Sequence, residues 1–167
     1  VVLLIIPISL GTYYSIYNHD FHHWSYNLSN FYDYKNGFIL FNQIFLQYGA
    51  GQIIFFDLLS NFISINIVSI GIITNFIFLL NFILIFLILK KNSSLLLSFF
   101  VISLILIIHP FAHYPWPDYY SGLCVTLFFY FLLNKDQNNF TIFLQSLFLF
   151  LAIFFRTTYL LHIISGV

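Results

Sequence analysis

Long apolar runs constrain this chain more than any other feature. Residues 53–89 are interrupted only by isolated polar side chains, Asp57, Asn61, Asn66 and Asn75 among them. Such a run is too long for one membrane crossing of about 20 residues and barely long enough for two with a turn. Further apolar runs fill residues 1–14, 95–108, 119–133 and 140–155. A water-soluble domain must cover itself with polar side chains. With 61% hydrophobic residues, 6% charged residues and a mean hydropathy of +0.97, this chain has too few. The sequence therefore predicts an all-α, polytopic transmembrane helical bundle with interfacial helices in its first external loop.

The polar residues divide the long run unevenly. Its early part carries Asp57, Ser60, Asn61, Ser64 and Asn66, whereas the rest holds only Ser69, Thr74, Asn75 and Asn81. That asymmetry predicts a half-buried helix over 53–63 and a span over 65–89, with two full spans as the alternative. With 1–14, 95–108, 119–133 and 140–155, the expectation is five spans. The segment 1–14 reads as the remnant of a helix leaving the membrane near Gly11. No methionine occurs, even at position 1, so the expectation is an internal piece of a longer protein. In the mixed loop 15–52, Phe38, Ile39, Leu40, Phe41, Ile44, Phe45 and Leu46 alternate with Asn36, Asn42, Gln43 and Gln47, a pattern suited to short amphipathic helices in the interface. Tyr48-Gly49-Ala50-Gly51 is a turn signal.

Under this topology Lys90, Lys91 and Lys135 share one side, and Lys35 and Arg156 the other. The excess of basic residues marks the Lys90 side as cytoplasmic, placing Asp20, Asp118 and Arg156 outside. Zero net charge and five Lys or Arg exclude a nucleic-acid binder, which needs a dense basic surface. The single cysteine, Cys124, cannot form an internal disulfide.

Two polar islands break the apolar pattern: His19-Asp20-Phe21-His22-His23-Trp24, and His109-Pro110-Phe111-Ala112-His113-Tyr114-Pro115-Trp116-Pro117-Asp118. Ionisable groups are costly near a membrane, so such clusters mark candidate chemistry. Asp20 can serve as general base or metal ligand; an interfacial loop without a catalytic role is the plainer alternative. His22 and His23 are adjacent and diverge by about 100° on a helix, so they suit phosphate binding or orientation of Asp20 better than joint chelation. Asp118 either caps the next helix or faces Asp20 to share a cation or bind sugar hydroxyls. Arg156 either grips a phosphate through paired hydrogen bonds or snorkels to headgroups. Asp33 and Asp57 are weaker candidates, Asp57 as a local cap or pairing partner.

The order of a first span, Asp20-Phe21-His22-His23-Trp24, a loop ending in Gln47-Tyr48-Gly49-Ala50-Gly51, and further spans resembles the N-terminal part of GT-C glycosyltransferases. That group includes lipid-linked-sugar-dependent mannosyltransferases and aminoarabinose transferases. Residues 1–167 would be the N-terminal part of such a transmembrane domain. The resemblance implies a polyprenyl-phosphate-linked sugar donor and an acceptor hydroxyl activated by Asp20. It also implies, in many members, a divalent cation such as Mg or Mn, and a location in the bacterial inner (plasma) membrane with the site extracytoplasmic; on their own chemistry, His22, His23, His113, Asp118 and Arg156 are the candidate substrate-binding residues. The first loop has no paired Asp-Glu or Asp-x-Asp. A transporter or flippase-like protein using the Asp/His cluster as a polar or proton path is the rival reading.

Overall fold

The computed structural model describes residues 2–17, 21–109, 112, 114–133 and 137–158; the side chains of residues 2–8, Ser15, Phe21 and His22 lie outside that description. The described residues form seven helices: α1 (Val2–Tyr17), α2 (Phe21–Lys35), α3 (Gly51–Ser60), α4 (Ile67–Asn92), α5 (Leu95–Ile108), α6 (Pro117–Leu132) and α7 (Asn139–Phe155). Local chemistry sets their starts. Asn66 and Ser69 form a reciprocal capping box at α4, Asn138 and Thr141 form another at α7, and the Ser94 hydroxyl accepts the Leu97 N–H at α5. Such caps satisfy amides that have no partner inside the helix. Lys90 and Lys91 lie in the last turn of α4, where positive charge complements the helix dipole.

The helix α4 is the hub. It packs against α1, α5 and α6; α6 packs in turn on α7, and α3 bridges α2 and α7. The main apolar core joins Trp24 and Phe31 of α2, Phe56 of α3, Ile70 and Ile77 of α4, and Tyr120 of α6, with Ile65 just ahead of α4. Within α4 two polar residues are also buried. The Thr74 hydroxyl lies 2.8 Å from the Tyr120 hydroxyl, and Asn75 hydrogen-bonds Ala112. These contacts align the early part of α4 with the segment linking α5 to α6. At the other end, Lys91 Nζ donates to the Leu133 carbonyl at 3.2 Å. Successive helices α4, α5 and α6 therefore run alternately up and down.

Among the described residues, one helix is long and apolar enough to cross a membrane: α4, with 26 residues, or about 39 Å at the α-helical rise. The apolar helices α3, α5 and α7 are shorter. At 10 residues, or about 15 Å, α3 cannot cross a hydrocarbon core of about 30 Å. The structure thus places in 53–89 one short and one long helix, not two spans.

The helices fall close to the expected segments, with two differences. The helix α1 runs on past Gly11 to Tyr17, and Gly11 is buried against α4. An ideal Cβ there would lie 2.1 Å from Asn75 Oδ1, so glycine serves close helix approach. The expected interfacial helices around residues 38–46 are also not formed. Gly37, at φ 91°, turns the chain out of α2, and Phe41 adopts φ 64°. Gln43 Oε1 accepts the Ile39 N–H, which a helix would leave to water, and Leu40 pairs with Ile44 in an isolated bridge. The loop's described helix is α2, drawn from the more polar residues before it.

Candidate functional site

The segment between α5 and α6 cannot continue a helix, because Pro110, Pro115 and Pro117 lack backbone N–H groups. It folds back onto the bundle instead. Its aromatic residues meet α2: the His23 ring stacks on Tyr114 at a centroid distance of 5.4 Å and lies 5.2 Å from that of Trp116. Tyr114 and Trp116 are themselves 6.2 Å apart. The two polar islands, far apart in sequence, are therefore in direct contact through their described residues. Asn27 adds a second link one turn along α2. Its amide donates to the His23 carbonyl at 2.8 Å and to the Pro115 carbonyl at 3.5 Å.

Pro117 opens α6, with Trp116 as the N-cap residue and no side-chain cap bond. Asp118 thus lies in the first turn rather than at the cap. There its charge still meets the positive end of the helix dipole, but its principal partner is elsewhere. The carboxylate forms an ion pair with Arg156, the residue that ends α7. Arg156 also lies over the Tyr48 ring, 5.6 Å from its centroid, and donates from Nε to the Thr158 hydroxyl at 2.9 Å. Thr157 donates from both its amide and its hydroxyl to the Tyr48 carbonyl, each at 2.8 Å.

The Tyr48-Gly49-Ala50-Gly51 turn fits against α7 because it is rich in glycine. A Cβ at Gly49 would sit 2.6 Å from the Phe154 carbonyl oxygen, and one at Gly51 would sit 2.9 Å from Phe154 and Phe155 backbone atoms. No side chain fits in that seam. On the other flank of the loop, the Tyr26 hydroxyl accepts the Gln47 N–H at 2.6 Å and donates to the Phe45 carbonyl at 3.2 Å. Burial raises the Tyr26 phenol above the ordinary value of 10.0, partly offset by the Gln47 hydrogen bond.

The candidate residues are thus distributed as follows. His23 contacts Tyr114 and Trp116, while Asp118 and Arg156 pair at the start of α6, two residues beyond Trp116. His22 lies in the first turn of α2; Asp20 and His113 lie outside the described residues. Asp57 pairs with Lys35 at 2.6 Å, tying α3 to α2, and Asp33 accepts the Ser29 hydroxyl at 3.4 Å. Among the described residues, no group of three or more His, Cys, Asp or Glu comes together. Sequence reasoning did not single out three buried carboxamides at this corner, Asn27, Gln52 and Asn75. For Gln52 and Asn75 a signal was present as polar residues inside apolar helices, a costly placement unless hydrogen-bonded; Asn27 is one polar residue among many in α2 and carried none.

The chain matches no protein-family model, no curated protein and no solved structure.

Proposed function

We propose that this chain is the N-terminal part of a multi-pass membrane glycosyltransferase of the GT-C type. It would move a sugar from a polyprenyl-phosphate donor to an acceptor hydroxyl at the extracytoplasmic face of a bacterial plasma membrane. The observation that carries this reading is the contact of His23 with Tyr114 and Trp116. It brings His23, three residues after Asp20 in sequence, against the corner that leads into Asp118. Membrane embedding is supported by α4, of whose most apolar stretch only 33% is buried within the protein; a soluble core helix would bury most of it. Large apolar side chains also face outward from the shorter helices, among them Leu96 and Phe100 of α5 and Phe143 and Phe150 of α7. In this reading α1, α5, α6 and α7 complete crossings with their interfacial aromatic ends.

The proposed step uses the chain's own residues. Asp20 takes the proton of the acceptor hydroxyl as that oxygen attacks the anomeric carbon; the carbon–oxygen bond to phosphate breaks, and polyprenyl phosphate leaves. In this reading His22, His23 and His113 serve as substrate-binding residues. The departing phosphate gathers negative charge and needs fixed donors. Arg156 carries more N–H donors than its contacts with Asp118 and Thr158 use, and Asp118 holds it in place. The Asp118 carboxylate, committed to Arg156, is a poor fit for the divalent cation that the GT-C resemblance implies.

The test is transfer of labelled sugar from polyprenyl-phosphate donors by membranes containing the full protein. Asp20→Asn should abolish transfer while leaving membrane insertion unchanged. Full activity in that variant would remove Asp20 from the mechanism.

A further inference from the structure

Irregular backbone packed inside a helical bundle persists only where protein groups satisfy its carbonyls and amides. The proline-rich segment joining α5 to α6 meets this need in a particular way. Three carboxamides from three helices grip it, and each is almost fully buried: Asn27 at 4% exposure, Gln52 at 2% and Asn75 at 2%. Asn75 of α4 clamps Ala112 from both sides, accepting its N–H at 3.0 Å and donating to its carbonyl at 3.3 Å. The same amide donates to the Gly71 carbonyl at 2.9 Å, which fixes its rotamer. Gln52 of α3 donates to the Pro115 carbonyl. Asn27 of α2 donates to that carbonyl too, and to His23.

A carboxamide suits this task because it offers donor and acceptor on one neutral group. A charged side chain at the same depth would cost far more to desolvate. Asn27 is the most telling of the three, since one amide joins the backbones of the two islands.

We propose that Asn27, Gln52 and Asn75 are positioning residues. They hold the 112–116 corner against the start of α2, and so set the distance between the Asp20 side and the Asp118 side of the transferase site. The functional half of this inference rests on the reading of the corner as a transferase site. The geometric half does not.

The experiment places cysteines at positions 23 and 116 (His23→Cys, Trp116→Cys) of the full protein in membranes, with Cys124→Ser to remove the native thiol. The rate of bridging by a short bifunctional thiol reagent then reports the gap between islands. Gln52→Leu and Asn75→Leu should slow bridging by about tenfold, the effect of losing a buried hydrogen bond. Gln52→Met keeps the size of the side chain but removes its donor, and it should slow bridging to a similar degree. A packing role alone would give Gln52→Met a normal rate, and that result, or unchanged rates in the leucine variants, would overturn the proposal. In otherwise native protein, Gln52→Met should lower kcat with KM for the lipid-linked donor within about twofold. If the native protein transfers no sugar, the transferase reading fails, while bridging rates still decide the positioning claim.

Discussion

Arg156 forms an ion pair with Asp118, joining the end of α7 to the beginning of α6. The same guanidinium rests on the Tyr48 ring, so one side chain ties two helices to the loop that precedes α3. The pair is partly exposed, at 27% for Arg156 and 34% for Asp118, and solvent screening limits its contribution to about 1 kcal/mol or less.

That arrangement makes the two partners unequal. Asp118→Asn should lower stability by about 1 kcal/mol or less. Arg156→Gln should cost more, because it also removes the cation–π contact, worth about 0.5–1 kcal/mol at an exposed site. Thermal unfolding of the detergent-solubilised protein would measure both, with a larger drop for Arg156→Gln.

Glycine positions should separate sharply. Gly49→Ala and Gly51→Ala drive a methyl into the Phe154–Phe155 backbone and should each destabilise by about 1–3 kcal/mol. Gly122→Ala is a matched control: it sits within α6, and the nearest atom to its new Cβ is 3.7 Å away. There the helix should gain about 0.5–1 kcal/mol. The comparison is read from denaturation midpoints of the three variants.

Gly11→Ala should act at a distance. Its methyl collides with the Asn75 carboxamide and should loosen the grip on Ala112. Reagent access at a cysteine introduced by Tyr114→Cys should rise in this variant, while Gly122→Ala leaves access unchanged.

Tyr26 gives the fold an alkaline weakness. Its folded-state pKa lies above the unfolded value of 10.0 because burial disfavours the phenolate. The native state therefore holds its proton at a pH where the unfolded chain has begun to lose it. The associated stability is intact below pH 10.0 and declines as pH rises through the raised folded value. Tyr26→Phe should flatten that decline and, having lost the Gln47 acceptor, cost about 0.5–1.5 kcal/mol at neutral pH. Unfolding measured across alkaline pH tests both parts.

The helical segments were legible because apolar runs and capping residues act locally. Ser94, Asn66 and Asn138 stand where the helices begin, and the polar cluster at 57–66 correctly separated α3 from α4. The loop 36–47 was misread because an interfacial helix and a closed turn share the same mixture of apolar and amide residues. Gly37, Phe41 and the Gln43 side chain decided for the turn. Asp57 reads as a residue that caps or pairs locally, whereas its partner, Lys35, is remote in sequence. The Asp118–Arg156 pair and the three carboxamide grips depend on which helices become neighbours, and a single sequence does not encode that in any local pattern. Tyr48-Gly49-Ala50-Gly51 read as a turn, yet the need for glycine there comes from the backbone of α7.

The convergence of the two polar islands at one membrane face is most directly tested by impermeant thiol labelling of single cysteines in intact cells and in inverted vesicles. The replaced positions are His22, Trp116 and Ser93, each in the Cys124→Ser background. Cysteines at 22 and 116 should be labelled from outside, and the one at 93, beside Lys90 and Lys91, only from the cytoplasmic side. Labelling of positions 22 and 116 from opposite sides would contradict the account.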